Sequence, residues 1–395
     1  MQFINDNLTS DKIVDGVFKI AGLAKKDQNP ATVNATIGSL CGEDEQLVAF
    51  KSFYQNYDNL NDKVKAKYAE SFRGNEAFNQ AVIDHVLENK LKMPVKCLAT
   101  SGGTGGVSMV LKNILNPGDT VLLPEIAWSS YQLMAKEYQL KIENYDIFNI
   151  DSIIQQINAL AKRQNKILIV INSPCHNPTG LSYSTEEWCQ LIEALNQLTI
   201  PVVILNDIAY IDYSQDLANS RNYFDTFNLC HENILLAVAF SLSKTMTSYG
   251  LRTGALLLAN KNSEALTNTY NAFEKSCRVL WSNVNNAAMV AFVETINNHK
   301  EAFLAEKAKY INLLKKRADL FLEEAKEADL EVYPYVEGFF ITLKISDNKQ
   351  RDQIHENLIK NHIYTVKVEK GIRISICSVP MSKIKGLAQR IKSVY

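Results

Sequence analysis

From residue 95 onward, short apolar runs alternate with stretches patterned for amphipathic helices, and this alternation constrains the fold more than any other feature. "VKCLAT", "TVLLPE", "KIENYDI", "KILIVIN", "PVVILND" and "NILLAVAF" read as strands, with "TGALLLA" as one more. Between them, "GGTGGVSMVLKNIL" reads as a glycine turn opening a helix. "WSSYQLMAKEYQL" and "STEEWCQLIEALNQL" read as helices, and "DSIIQQINALAKRQ" as a helix capped by Asp151. Runs that are apolar at nearly every position leave no face for water. They predict an α/β fold with a mostly parallel sheet covered by helices on both sides. In such sheets ligands sit beyond the carboxyl ends of the strands. The polar oddities fall at those ends: Gly102 to Gly106, Trp128, Asn177, Asp207 and Lys244.

After about residue 285 the texture changes. A long charged helix, "HKEAFLAEKAKYINLLKKRADLFLEEAKEA", leads to a hairpin-like "LEVYPYVEGFFITLKI". The helix "NKQRDQIHENLIKN", the strand pair "HIYTVKV" and "GIRISIC" and a last helix follow, in the manner of a smaller α+β domain. The expected division is a large domain over 46–285 and a small one made of 1–45 and 286–395. No internal repeat or low-complexity linker interrupts it.

Charge and cysteine usage exclude several function classes. Among 395 residues, 42 Lys and Arg face 43 Asp and Glu, so no nucleic-acid or anionic-membrane partner is expected. The apolar runs are too short to span a bilayer. The first residues, "MQFINDNLTSDKIVDGVF", have no basic stretch before an apolar core and predict no secretory leader. Seven scattered cysteines without a C-x-x-C pair, and six histidines without H-E-x-x-H, predict reduced thiols, no metal site and a cytoplasmic location.

The strand-end residues carry the chemistry. Gly102 to Gly106 let the backbone approach closely and open a helix whose unpaired N–H groups suit an anion. They do not match a nucleotide P-loop, and the spacing leaves a phosphate site and a plain tight turn both open. "SPCHNPTG" by itself reads as a loop, with His176 a structural or supporting residue. Asp207 ends an apolar strand, where an unpaired carboxylate is costly. A protonated heterocyclic nitrogen would be a partner for it, and so would a helix cap or an ion pair. Lys244 lies in "SLSKTMTSYGLR" between Ser241 and Arg252. An amine attacks a carbonyl only when neutral, which burial or a cationic neighbour favours, whereas an ordinary surface loop needs neither. Serine and arginine suit a phosphate. Together these groups match the needs of pyridoxal 5′-phosphate: a lysine, an acid for its ring nitrogen and a phosphate cradle.

On these residues the chain resembles the fold-type I pyridoxal-phosphate aminotransferases of class I/II, nearest to the aspartate and aromatic-amino-acid branch. "SLSKTMTSYGLRTG" resembles the family's S-x-S-K-x(7)-R-x-G box, which implies Lys244 as the lysine of the internal aldimine, with Ser241 and Arg252 on the phosphate. "NDIAY" resembles D-x-A-Y, which implies Asp207 on the ring nitrogen and Tyr210 on the ring hydroxyl. "CHNPTG" implies Asn177 on that hydroxyl and His176 behind the acid. "GGTGGV" implies Gly103 and Thr104 at the phosphate, and "PEIAWSSY" implies Trp128 stacked on the ring. "GIRISI" implies Arg373 on the substrate α-carboxylate, with Gly38 of "NATIGSL" close by; Trp128 and Asn177 would also touch substrate.

Two further matches imply residues contributed by a neighbouring subunit, hence a homodimer with shared active sites. They are Tyr68 of "KYAESFRG", on the phosphate, and Arg278 of "CRVLWSN", on a distal carboxylate. The chain departs from the pattern at Thr253, where valine is usual, and in lacking the prolines after "SN". The implied fold is aspartate-aminotransferase-like, with a seven-stranded sheet. The implied activity moves an amino group between an aromatic amino acid or aspartate and a 2-oxo acid such as 2-oxoglutarate. A β-lyase or decarboxylase on the same cofactor is the alternative, and a non-enzymatic cofactor-binding regulator a more distant one. Tyr131, Trp281 and Tyr68 fit an aromatic-tolerant pocket or plain packing.

Overall fold

The computed structural model describes residue 3 and residues 16–395. The part of the 1–45 assignment and of the leader expectation that falls on residues 1, 2 and 4–15 lies outside the described residues. The large sheet has seven strands: β1 (Val95–Thr100), β2 (Thr120–Pro124), β3 (Lys141–Tyr145), β4 (Ile167–Asn172), β5 (Val202–Asp207), β6 (Ile234–Ser241) and β7 (Gly254–Ala259). Their spatial order is β1-β7-β6-β5-β4-β2-β3. Only β7 runs against its neighbours; β6, β5, β4, β2 and β3 pair in parallel.

The strands are apolar at successive positions because each face meets its own core. Ile167, Ile169 and Ile171 point into one cluster, with Trp188 and Leu191 of the helix Thr185–Asn196. Leu168 and Val170 point into the other, with Val107 and Val110 of the helix Gly102–Ile114. The helix Thr185–Asn196 starts where Ser184 and Glu187 cap each other's backbone N–H groups, a device worth about 1 kcal/mol. The helix Ile150–Ala161 corrects an expectation. Its cap is Asn149, which accepts from Ser152 N at 3.0 Å, while the Asp151 carboxylate accepts from Gln190.

A smaller antiparallel sheet, β8 (Phe340–Lys344), β9 (Val366–Val368) and β10 (Gly371–Ser375), has the order β9-β10-β8. Two expectations change here. "HIYTVKV" is not one strand: Ile363–Tyr364 pairs in parallel with Val33–Asn34, and only Val366–Val368 joins β10. The carbonyl of the intervening Thr365 faces His355 Nε2 at 3.1 Å rather than a ladder partner. The first arm of the expected hairpin shrinks to a bridge between Val332 and Leu343, because the chain then leaves the sheet and the Val336 and Glu337 N–H groups donate to the Gly180 carbonyl. The 28-residue helix Lys300–Glu327 ties the two parts together. Its Phe303 and Leu314 enter the larger core, and Ala318, Phe321 and Ala325 enter the smaller one. Among the described residues no helix is long and apolar enough to cross a membrane.

Candidate active site

The carboxyl ends of β4, β5 and β6 and the turn after β1 open on a cleft of about 190 Å³. Lys244 enters it from the short helix Leu242–Thr245, immediately after β6. Its Nζ donates to the carbonyl of Gly38 at 2.8 Å and lies over the rings of Tyr249 and Tyr210 at 4.7 and 5.3 Å. Burial lowers its pKa to about 8, with Arg373 and Arg252 acting in the same direction and Cys377 and Asp207 against it. An amine so placed is substantially neutral near pH 8, as a nucleophile or base must be.

One end of the cleft is built for an anion. Gly102, at φ +70°, and Gly103 start the helix Gly102–Ile114, which leaves its first N–H groups without intrahelical partners. A Cβ on Gly102 would stand 2.6 Å from Arg252 Nη2, and one on Gly103 would stand 3.1 Å from Ser241 Cβ. A side chain at 102 would be strained at φ +70° and would push the Arg252 guanidinium away, and one at 103 would crowd the end of β6, so the glycines favour this close approach. Arg252, itself in the left-handed region at φ +51°, is braced by Nη1 bonds to Ser243 Oγ at 3.0 Å and to the Tyr249 carbonyl at 2.9 Å.

At the other end Asp207 closes β5. Tyr131 donates its hydroxyl to Asp207 Oδ2 at 2.6 Å, and Ala209 N–H donates to Oδ1 at 3.1 Å. Burial raises the carboxyl's pKa, and these two bonds and Lys244 oppose the rise. Burial, followed by the Asp207 charge, holds the Tyr131 phenol far above its usual range, so the hydroxyl remains the donor. Asn172 fixes the neighbouring loop by donating to the Asp207 carbonyl at 2.7 Å and accepting from Asn177 N at 2.7 Å.

Arg373, on β10, reaches the same place from the smaller sheet. It donates to Asn177 Oδ1 at 3.1 Å and to the Thr36 carbonyl at 2.6 Å, over the ring of Phe340 at 4.4 Å. Its Nε is buried without a partner among the described residues. A side chain at Gly38 would meet Phe340 Cζ at 2.6 Å, so the segment carrying the Lys244 acceptor also needs its glycine.

Of the residues singled out in the sequence, Gly103, Thr104, Trp128, Asn177, Asp207, Tyr210, Ser241, Lys244 and Arg252 line this one cleft. Gly38 and Arg373 adjoin it through the bonds just given. Tyr68 and Arg278 do not line it: Tyr68 is 79% exposed, and the exposed Arg278 lies on Phe72 and Ser282. His176 makes no hydrogen bond to the acid: its Nδ1 bonds Thr179 Oγ1 at 2.8 Å, its Nε2 has no partner among the described residues, and burial takes its pKa down to about 3. Tyr131 holds the carboxylate instead. Trp281 packs against Gly105 rather than lining the cleft. Thr253, the departure from valine, is fully buried and turns its hydroxyl onto the Leu251 carbonyl at 3.2 Å. Sequence reading missed Asn172, Ser243 and Tyr249, whose only signal was proximity to the quoted motifs.

This donor set fits pyridoxal 5′-phosphate: a glycine cradle with serine and arginine for a phosphate, a buried carboxylate for a ring nitrogen and a lysine amine between them. The comparisons agree. The aminotransferase class I and II family matches residues 32–391. Aspartate aminotransferase of Pseudomonas aeruginosa is 24% identical over 205 residues, 49% of this chain and 49% of that enzyme, so the match spans about half its length. An aminotransferase structure from Anaerococcus prevotii superposes with a TM-score of 0.95 at 30% identity, covering 100% of this chain and 99% of that one. The aromatic-amino-acid aminotransferase of Burkholderia pseudomallei, covalently bound to pyridoxal phosphate, gives 0.80 at 18% identity over 100% of both chains.

Proposed function

The chain belongs to the class I and II aminotransferases, and from that premise we propose that it moves an amino group between an aromatic amino acid or aspartate and a 2-oxo acid such as 2-oxoglutarate. The observation that carries this reading is the Lys244 amine, with its lowered pKa, in one cleft with Asp207 and the glycine cradle.

Bound pyridoxal 5′-phosphate supplies a carbonyl that condenses with primary amines and a protonated ring that draws electrons away from the substrate Cα. Gly103 and Thr104 at the helix start, with Ser241, Ser243 and Arg252, would bind its phosphate. Trp128 would cover the ring, and Tyr210 and Asn177 would hold it at the ring hydroxyl. Asp207, held by Tyr131, would keep a proton on the ring nitrogen. Arg373 grips the substrate α-carboxylate and turns the Cα–H bond toward Lys244. Lys244 takes that proton in one half-reaction and delivers a proton to Cα of the product amino acid in the other.

Substrate choice rests on residues outside the single-chain cleft. Tyr68, Phe72, Val279 and Leu280 are exposed and apolar, and Arg278 stands among them. This supports a homodimer in which Tyr68 and Arg278 complete the neighbour's site, a reading that a one-chain mass by light scattering would remove. The parallel pairing of Val33–Asn34 with Ile363–Tyr364 supports joining 1–45 to 286–395 in the proposed 46–285 and 1–45 plus 286–395 division, while Phe303 packs across it on Phe50. Seven free cysteines, five of them buried, support a reducing, cytoplasmic setting. The deciding experiment is amino-donor profiling with 2-oxoglutarate as acceptor. Aspartate, tyrosine, phenylalanine and tryptophan are expected to donate, and no transfer from any of them would end the proposal.

Tyr131→Phe provides a check on the acid. Losing the hydroxyl removes a bond that lowers the Asp207 pKa, so that pKa rises further. A higher pKa leaves more of the carboxyl protonated at a given pH. The acid limb of the kcat/KM profile should therefore move to higher pH, with turnover at neutral pH reduced about tenfold for one lost bond to a charged group. An unmoved limb would take Tyr131 out of this role.

A further inference from the structure

Beneath the cleft lies a group of charged side chains that the mechanism above does not use. Lys307, on the helix Lys300–Glu327, is fully buried. Its Nζ donates to the carbonyl of Thr245 at 2.6 Å and stands 3.8 Å from Asp212 Oδ2. Asp212, also buried, takes His85 Nε2 at 3.0 Å and the guanidinium of Arg221. The rings of Phe303, Tyr213 and Phe50 face the Lys307 ammonium at 4.7, 4.9 and 5.3 Å. Tyr213 in turn donates its hydroxyl to the carbonyl of Lys244 at 2.9 Å. The two carbonyls that end the helix Leu242–Thr245 are thus held from the same side.

Enclosing an ammonium costs several kcal/mol before its partners offset it. Aromatic faces and one carboxylate return part of that, yet a methionine of similar length would fill the space without the cost. Packing alone does not call for a lysine here. What the ammonium adds is direction: a charge-assisted N–H bond aimed at one peptide oxygen next to the reactive residue. The helix that carries Lys307 also enters both cores, through Phe303 and Leu314 on one side and Phe321 and Ala325 on the other.

We infer that Lys307 and Tyr213 are positioning residues that set where the Lys244 amine stands in the cleft, by anchoring the peptide carbonyls of Thr245 and Lys244 to the buried Asp212 cluster. Through Lys307 the same anchor reaches the helix shared by both cores. A small displacement of the Lys244 peptide is passed along the side chain to Nζ and its 2.8 Å bond to Gly38. A misplacement of about 1 Å at a reacting group costs on the order of a hundredfold in rate. The inference rests on Lys244 being the reactive amine.

Lys307→Met and Tyr213→Phe each remove one hold and leave Asp212 its bonds to His85 and Arg221. In the cofactor-free chain, labelling of Lys244 by trinitrobenzenesulfonate, located by peptide mapping, should follow a pH profile displaced from that of wild type. In the loaded enzyme kcat should fall about tenfold or more while KM for the amino acid changes little. Wild-type labelling and wild-type kcat in a folded Lys307→Met chain, even one of lower Tm, would reduce the cluster to packing and overturn the inference. If Lys307→Met does not fold, Tyr213→Phe decides in the same two assays, because its ring still fills its place. Activity retained by Lys244→Ala would instead defeat the reading of the site. An inactive Lys244→Ala beside wild-type Lys307→Met and Tyr213→Phe would defeat this inference alone.

Discussion

Lys244→Ala is expected to lower kcat by about 10⁴-fold, the upper end of what a positioned acid–base group contributes, because among the described residues no second lysine lines the cleft to take its place. Lys244→Arg should be equally inactive. A guanidinium retains the charge but stays protonated at any working pH, so it cannot take a proton from Cα. The pair of variants therefore separates proton transfer from mere positive charge, and single-turnover rates with an amino acid read it directly. Near-wild-type rates in either variant would remove Lys244 from its assigned role. The fold should survive, since the alanine gives up the bond to Gly38 and the contacts with the Tyr249 and Tyr210 rings but also removes a desolvated ammonium. Burial lowers Lys244 from 10.5 to about 8, and Lys307 likewise. Between those values the folded chain binds fewer protons than the unfolded one, so stability of the cofactor-free chain rises with pH through that window. Lys244→Ala should flatten part of that rise.

Legibility in the sequence followed how local each signal is. The strands could be read because Ile167 to Ile171 meet a core on either face, which leaves no polar positions to blur the run. Asp207 stood out because a carboxylate ends such a run, and Lys244 because its serines and arginine lie within a few residues. What pairs across the chain was not legible. Tyr131 and Asp207 are 76 residues apart, and Lys307 and Thr245 are 62 apart, and no local pattern encodes either bond. His176 went astray for a related reason: its motif places it beside Asn177 but does not say which way the ring faces. Asn149 and Asp151 are both good caps two residues apart, and only the backbone at Ser152 decides between them. Of the helices that went unread, two did so for opposite reasons. Ser263–Leu280 buries only Leu266, Tyr270, Phe273 and Cys277, a stripe thin among polar neighbours. Asn286–Asn298 is buried on most sides, so its pattern carries little contrast.

Asp207→Asn is expected to lower kcat about 10²- to 10³-fold, the range seen when one preorganised electrostatic partner of a reacting group is removed. The argument depends on what asparagine preserves. Its side-chain oxygen can still accept the Ala209 N–H, and its amide NH2, standing where Oδ2 was, can donate to a Tyr131 hydroxyl turned to accept, so the end of β5 keeps its shape. The phosphate end, built from Gly103, Ser241, Ser243 and Arg252, is untouched. Only the negative charge disappears. In the cofactor-free cleft that charge is an expense, since burial outweighs Tyr131, Ala209 and Lys244 and raises the carboxyl's pKa. Asp207→Asn should accordingly leave the cofactor-free chain at least as stable as wild type while crippling turnover. A carboxylate kept for structure would show the reverse, a lower Tm with kcat little changed. Measuring both quantities on one variant therefore tells whether Asp207 stands at the end of its strand for the chemistry or for the fold.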